Sequence, residues 1–311
     1  MPAILTHYTF GLSVIEAAKG HKEAFLVGNQ GPDTFMAYGT NPFHKREDVK
    51  AIRPFGAFMH HEKIDEYYAR MMEFADKSER KDVLYAYILG LFAHFSVDRA
   101  CHPYIFYRSG FDEKGGLHGF YGFSHGKFEA LVDKILGKRK GTYIRPDKAI
   151  ALNKEDAKEI SLMWAYAAPD KLDEMAFYRC LEDFQFAERM LWTRTGLKRI
   201  LFRALGKYST AYSQSHPRFI HKYKKLDLLN DKHSEWKDPC TEVASTKSFE
   251  ELLDEAREAY KDLLAIVEEG SKKEDKSEMK AKLKQWVKDI DHDGMPYGSN
   301  KKVQSLCWKK K

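Results

Sequence analysis

Three residues able to bind a metal or move a proton recur at four-residue steps in Gly90-Leu-Phe-Ala-His94-Phe-Ser-Val-Asp98-Arg-Ala-Cys101-His102-Pro103. On a helix this spacing places His94, Asp98 and His102 along one shallow stripe. The run Val83 to Phe95 is apolar nearly all the way round, which predicts a central helix. An acid and two imidazoles buried there are costly unless partnered, and a metal ion would be such a partner. A second pair, His125 and Glu129, stands four residues apart in Ser124-His125-Gly-Lys-Phe-Glu129, again on one helical face. Nitrogen and oxygen donors of this kind suit zinc, with cobalt, iron or manganese as alternatives. Upstream stand His7, Asp33 after Gly-Pro, and the adjacent His60 and His61.

Each residue alone has a plainer reading. His7 fits a hydrogen-bonded core histidine, Asp33 the close of a turn, and His60-His61 the start of a helix. Asp98 beside Arg99 fits an ordinary ion pair, although adjacent residues point apart on a helix. Cys101 reads as a small buried thiol, and Gly90, one turn before His94, as a site of close helix packing. The joint pattern shifts the balance: His94, Asp98, His102, His125 and Glu129 fall at helical steps within 36 positions, which points to a metal centre.

The elements that must position these residues read as helices. Apolar residues recur at helical spacing from Leu12 to Ala18, and then Gly20, Gly28, Gly31-Pro32, Gly39, Pro42, Pro54 and Gly56 predict a loop-rich stretch from about 20 to 57. Its many aromatics, among them Phe25, Phe35, Tyr38, Phe43, Phe55 and Phe58, make it an ordered wall of a site. Helical patterns follow at roughly 60–76, 81–101, 123–137, 154–167, 170–190, 194–213, 248–269 and 275–290. With no convincing strand, the expected fold is all-α, an irregular multi-helix bundle. Residues 1–290 read as one helical domain, with the metal-site part in 1–140 and covering helices in 141–290. Residues 229–247 read as a polar connection and 291–311 as a basic C-terminal tail.

Composition bounds the rest. The 311 residues are 43% hydrophobic, 32% charged and 14% aromatic, an ordinary globular balance on the aromatic side. The 52 basic and 46 acidic residues leave a net charge of +6, which favours an anionic substrate weakly and predicts no stable nucleic-acid complex. Cys101, Cys180, Cys240 and Cys307 are too scattered for a disulfide framework or a zinc knuckle. The N-terminus lacks the order of a secretory signal, and Val83 to Phe95 is shorter than the roughly 20 residues that cross a bilayer. A cytoplasmic protein without a transmembrane segment is expected.

At its ligand-type residues the sequence resembles the bacterial zinc-dependent phospholipase C family, relatives of the clostridial alpha-toxin catalytic domain and, more distantly, of zinc-dependent single-strand nucleases. The resemblance is best over about residues 1–135, and it implies an all-helical fold holding two or three zinc ions. His60, His94 and Asp98 resemble the ligands of one zinc, with Asp98 bridging; His102, His125 and Glu129 resemble those of a second. His7 resembles the histidine that helps Asp98 hold the third. Asp33, in Gly-Asn-Gln-Gly-Pro-Asp33, resembles the aspartate that contacts the metals and serves as base or water-orienting group. Two departures stand out. Secreted members complete the third site with a processed amino terminus that begins with tryptophan, whereas this sequence begins Met1-Pro2. His102 precedes Pro103, only four residues after Asp98, where the family histidine follows slightly later behind a proline.

The expected activity is phospholipase C-like: metal-assisted hydrolysis of an anionic phosphodiester, either a phospholipid headgroup or a small soluble diester. Aromatics near Asp33 and at Tyr104, Phe106, Tyr107, Phe120, Tyr121 and Phe123 could cage a quaternary ammonium, stack on unpaired bases, or simply be core. No amphipathic anchor is evident, so membrane contact would be peripheral. The alternatives are a soluble phosphodiesterase or nuclease of the same fold, and a non-catalytic helical scaffold with a structural metal.

Overall fold

The computed structural model describes residues 4–61, 64–192, 224–273 and 275–308. Among these are twelve α-helices: α1 (Ile4–Ser13), α2 (Lys22–Gly28), α3 (Asp33–Met36), α4 (Arg46–His61), α5 (Ile64–Lys77), α6 (Lys81–Ser109), α7 (Phe120–Arg139), α8 (Pro146–Ala149), α9 (Lys154–Ala167), α10 (Ala176–Leu191), α11 (Phe249–Ser271) and α12 (Ser277–Val287). One short antiparallel ladder pairs Trp236–Lys237 with Ala244–Ser245. The architecture is the expected all-α bundle. The helix expected at 194–213 lies outside the described residues.

The axis of the fold is α6, buried on every face through its middle and wrapped by α2, α5, α7 and α11. Its run of Val83, Leu84, Ala86, Tyr87, Ile88, Leu91 and Phe92 leaves no polar stripe for water, so burial on all sides is the stable outcome. The helix runs on past the expected end at 101, through Pro103 to Ser109. Gly28 and Gly90 set how closely α2 approaches it. A Cβ on Gly28 would lie 2.1 Å from the Tyr87 carbonyl oxygen, and one on Gly90 would lie 2.2 Å from that of Phe25. The two backbones therefore touch, and only glycine fits at the crossing. In α11 the chain starts on a capping box, with Ser248 and Glu251 each bonding the other's backbone.

The stretch from 20 to 57 is more helical than its glycines and prolines suggest. Short helices α2 and α3 precede α4, which carries both Pro54 and Gly56 inside it. Ile52, Phe55, Gly56, Met59 and His60 line its buried side at helical spacing, and that burial outweighs the two breakers. The aromatics of this stretch are mainly core: Phe25, Phe35, Tyr38 and Phe55 are buried, whereas Phe43 is exposed. Trp164 and Trp236 are core as well, Trp164 donating its indole N–H to Tyr87 at 2.7 Å.

Residues 291–308 are held against the bundle. Met295 donates to the Asp291 side chain, Gly294 N–H bonds the Asp291 carbonyl, and the resulting tight turn packs onto α6. Gly294 has φ +74, and a Cβ there would meet the Arg99 carbonyl oxygen at 2.3 Å, so the turn depends on its glycine. Further on, Ser305 and Cys307 bond the carbonyls of Tyr107 and Arg108. Among its described residues Lys301 pairs with Asp293, and Gln304 accepts the Phe111 N–H and donates to the Phe111 carbonyl.

Candidate metal centre

Helix α6 delivers His94, Asp98 and His102 to one face, and the neighbouring elements bring the rest. His7 comes from α1, Asp33 from the start of α3, His60 from the end of α4, and His125 and Glu129 from the first turns of α7. Gly31, with φ +58, lets the loop before Asp33 lie against the His94 imidazole, where a Cβ would be 2.1 Å from Cδ2. The start of α1 is fixed from across the fold, because the Asp133 carboxylate accepts Leu5 N–H at 3.0 Å and Thr6 N–H at 2.7 Å. That bond holds the turn that carries His7.

All eight residues singled out in the sequence converge. Donor atoms of His7, His94 and Asp98 lie within 4.8 Å of one another, as do those of Asp33, His60 and His94, and those of His102, His125 and Glu129. Asp98 stands at the centre, with Oδ1 3.3 Å from His7 Nε2 and 3.8 Å from His102 Nε2, and Oδ2 2.8 Å from His94 Nε2. Asp33 Oδ1 lies 3.0 Å from His60 Nε2, and Glu129 Oε1 lies 3.2 Å from His125 Nε2 and 3.7 Å from His102 Nε2. The adjacent histidines separate cleanly. His60 is buried and faces Asp33, whereas His61 is exposed and belongs to a fourth group with Asp291 and Asp293 at the rim.

The donor set fits a cation. Among the described residues, His94 Nδ1 and Nε2, Asp98 Oδ2 and His7 Nδ1 are buried without a hydrogen-bond partner; the 2.8 Å approach of His94 to Asp98 lacks hydrogen-bond geometry. Such atoms are expensive to bury, and ions that bind N and O donors would satisfy them. His60 Nδ1 is committed to the Gly56 carbonyl at 2.7 Å and His102 Nδ1 to the His292 carbonyl at 2.7 Å, which leaves each Nε2 pointing into the cluster. This is the arrangement by which outer partners fix the tautomer of a ligating imidazole.

The electrostatics carry the same message. Burial alone would raise Asp98 and Glu129, yet the surrounding imidazoles hold both well below the usual carboxylate range. Burial would lower His60 and His102, but the carboxylates outweigh it: His60 rises to about 9, chiefly through Asp33, and His102 well above its ordinary value, chiefly through Asp98. The buried carboxylates thus favour positive charge at these two positions. His94 moves the other way, lowered mainly by burial.

An open cavity of about 600 Å³ reaches the cluster and is lined by Asp33, His60, His102, His125 and Glu129 on one side. Its other wall comes from Lys114–Leu117 and from Asp291, Asp293, Met295 and Tyr297–Lys301. Lys301 ties these parts together, with Nζ 2.9 Å from Asp293 Oδ2, 3.3 Å from the Gly115 carbonyl and 4.1 Å above the Phe106 ring. Of the aromatics offered for a headgroup cage, Phe106 lines the cavity, whereas Tyr104 is wholly buried in the core.

One buried histidine escaped the sequence reading. His292 is fully buried, its ring centroid 4.9 Å from that of His60 and 5.5 Å from that of His94. Burial, followed by the charges of His60 and His94, keeps it well below its ordinary pKa and so neutral. The Asp291-His-Asp-Gly run was its only signal, in a segment without helical period.

A helical bundle whose central helix gathers imidazoles and carboxylates from four others beside an open cavity defines a class, all-helical proteins with a candidate metal centre. The particular family follows from comparison: residues 6–187, over half the chain, match the zinc dependent phospholipase C family, and the protein belongs to it. Searches of curated proteins and of solved structures returned no match. Among the described residues, no helix is long and apolar enough to cross a membrane.

Proposed function

We propose that the protein is a zinc-dependent hydrolase of phosphodiester bonds that uses a multinuclear centre. The observation that carries this reading is the convergence of three donor groups, two of which reach the floor of one open cavity through Asp33, His60, His102, His125 and Glu129. In it, Asp33, His60 and His94 would hold one ion, His102, His125 and Glu129 a second, and His7 with Asp98 a third. Bound zinc supplies Lewis-acid stabilisation of phosphate charge and lowers the pKa of water toward roughly 7.

The chain's own residues do the rest. Asp33 lines the cavity beside His60, where its carboxylate would orient or accept a proton from the attacking water. Lys114 and Lys301 place positive charge on the opposite wall, suited to an anionic diester, although Lys301 is already engaged by Asp293. The cavity size is in the range of small-molecule sites, roughly 300–1,000 Å³. Its openness to solutes favours catalysis over a closed structural metal site. Because so few of the candidate aromatics face the cavity, a small soluble phosphodiester is as well served as a phospholipid headgroup. The four unpaired cysteines accord with a cytoplasmic setting.

The test is zinc content of the purified chain together with hydrolysis of a chromogenic phosphodiester. Two or three zinc equivalents with chelator-sensitive turnover are expected, and Asp33→Asn should retain zinc at the other groups while losing turnover. A folded chain that takes up no zinc would overturn the reading. Zinc uptake with no hydrolysis of soluble diesters or dispersed phospholipids would leave only the scaffold.

A further inference from the structure

The turn Asp291–Met295 lies outside the residues matched to the family, yet it places an imidazole inside the metal centre. His292 is 0% exposed and does not line the cavity, so neither solvent nor a bound substrate reaches its ring. Among the described residues neither of its nitrogens has a hydrogen-bond partner. Its neighbours on one side are His60 and His94, and on the other the edge-on ring of Phe95, 5.0 Å between centroids. A phenyl ring cannot satisfy an imidazole nitrogen as a donor or acceptor in the ring plane. The missing partner therefore sits on the histidine side.

The ring of His292 lies against those of two candidate ligands. His60 and His94, whose donor atoms converge with Asp33, have centroids 6.1 Å apart, and His102 and His125, which converge with Glu129, have centroids 5.7 Å apart. His292 stands nearer, 4.9 Å from His60 and 5.5 Å from His94, but its donor atoms are not among those that converge within 4.8 Å, so ligation requires its ring to turn toward the ion. Its backbone is clamped to both metal groups: its N–H donates to the His60 carbonyl at 3.2 Å, and its carbonyl accepts from His102 Nδ1 at 2.7 Å. The turn that carries it is pinned by Gly294 against α6. A residue held this firmly, with its only polar atoms unpartnered beside two candidate ligands, is organised for a partner that arrives with the cation.

We propose that His292 is a further ligand of the metal centre, supplied by the C-terminal segment to the ion held by Asp33, His60 and His94. The inference rests on the zinc reading above and adds a residue and a chain segment to it. It makes the C-terminal turn part of the centre and not only of the cavity wall.

The experiment uses the full chain in two forms of measurement. A crystal structure of the zinc-loaded protein, with anomalous data at the zinc edge, is expected to place a His292 nitrogen at a zinc–nitrogen distance of about 2.0–2.1 Å. In solution, His292→Phe keeps ring volume and the backbone bond to His102, while His292→Ala removes both ring and volume. Zinc competition against a chromogenic chelator should show both variants weakened about 100-fold or more at one site, with far-UV circular dichroism unchanged. Zinc seen at Asp33, His60 and His94 with His292 beyond bonding distance would overturn this inference and leave the centre standing. So would His292→Phe that binds zinc as tightly as the wild type. A wild-type chain that takes up no zinc would instead overturn the metal reading on which it rests. If either variant fails to fold, the wild-type crystal structure still decides.

Discussion

Two regions build the same cavity by different means. The matched region, 6–187, supplies eight candidate donors from helices, where four-residue spacing puts side chains on one face. The segment from Asp289 to Trp308 supplies His292, Asp293 and Lys301 from turns and irregular chain, held by single glycine and backbone contacts. The first contribution repeats with the helix, and the second is set residue by residue. A family pattern captures periodic placement readily, and a non-periodic wall is where members can diverge in what they accept.

The largest effect that tests this contrast is Asp98→Ala. It removes the carboxylate shared by His7, His94 and His102, and should cost roughly a thousandfold in turnover together with at least one zinc equivalent. Turnover near wild type would break the claim that the helical half carries the chemistry.

Proton linkage comes next. With His60 raised from 6.5 to about 9, a proton must leave before its Nε2 can bind zinc, so affinity at that group should strengthen about 50-fold from pH 7 to 9. The zinc-free chain moves oppositely. The His60–Asp33 contribution to its stability is complete below pH 6.5 and is lost as pH rises through about 9. Calorimetric titrations across that range, with thermal melts of the chelated protein, read the two slopes; zinc affinity that does not change with pH would remove His60 from the centre.

A smaller effect belongs to the C-terminal wall. Gly294→Ala places a Cβ at positive φ and against the Arg99 carbonyl, which should cost about 1–3 kcal/mol and lower Tm. If the wall also tunes the site, KM for a phosphodiester should rise as well. A variant that melts lower with unchanged kinetics would confine the segment to stability.

The smallest is Asp133→Ala, which frees Leu5 and Thr6 N–H at the start of α1 and should cost about 1 kcal/mol, as loss of a helix cap does. Burial lifts the Asp133 carboxyl from 3.8 to about 7, so the folded chain binds a proton there more readily than the unfolded one. Stability of the wild type should therefore fall between those pH values, and the alanine variant should lack that slope. Equal slopes in both proteins would sink this account of how α1 is held.

What was legible in the sequence was what recurs. The stripe on α6, the pair on α7 and the all-helical class all follow from spacing that survives any tertiary arrangement. The reading failed where long-range packing decides. Pro54 and Gly56 argue for a loop, but α4 forms because Ile52, Phe55 and Met59 have a core to enter. Likewise Lys301 looks like tail charge until Asp293, Gly115 and Phe106 are seen around it. His292 has no periodic neighbours to flag it, and its depth is set by Gly294 and by carbonyls on α4 and α6.

The bare crossing of Gly28 on Gly90 acts as a bearing without a bushing. Side chains between helices usually take up small errors by turning about a bond, but at this point peptide rests on peptide and there is nothing to yield. One added methyl would lever α2 away from the rod that holds His94 one turn further on, and with it Asn29, whose amide grips the carbonyl of His7. The machining tolerance of the candidate centre is thus set a full turn away from it, by two residues with no side chain at all.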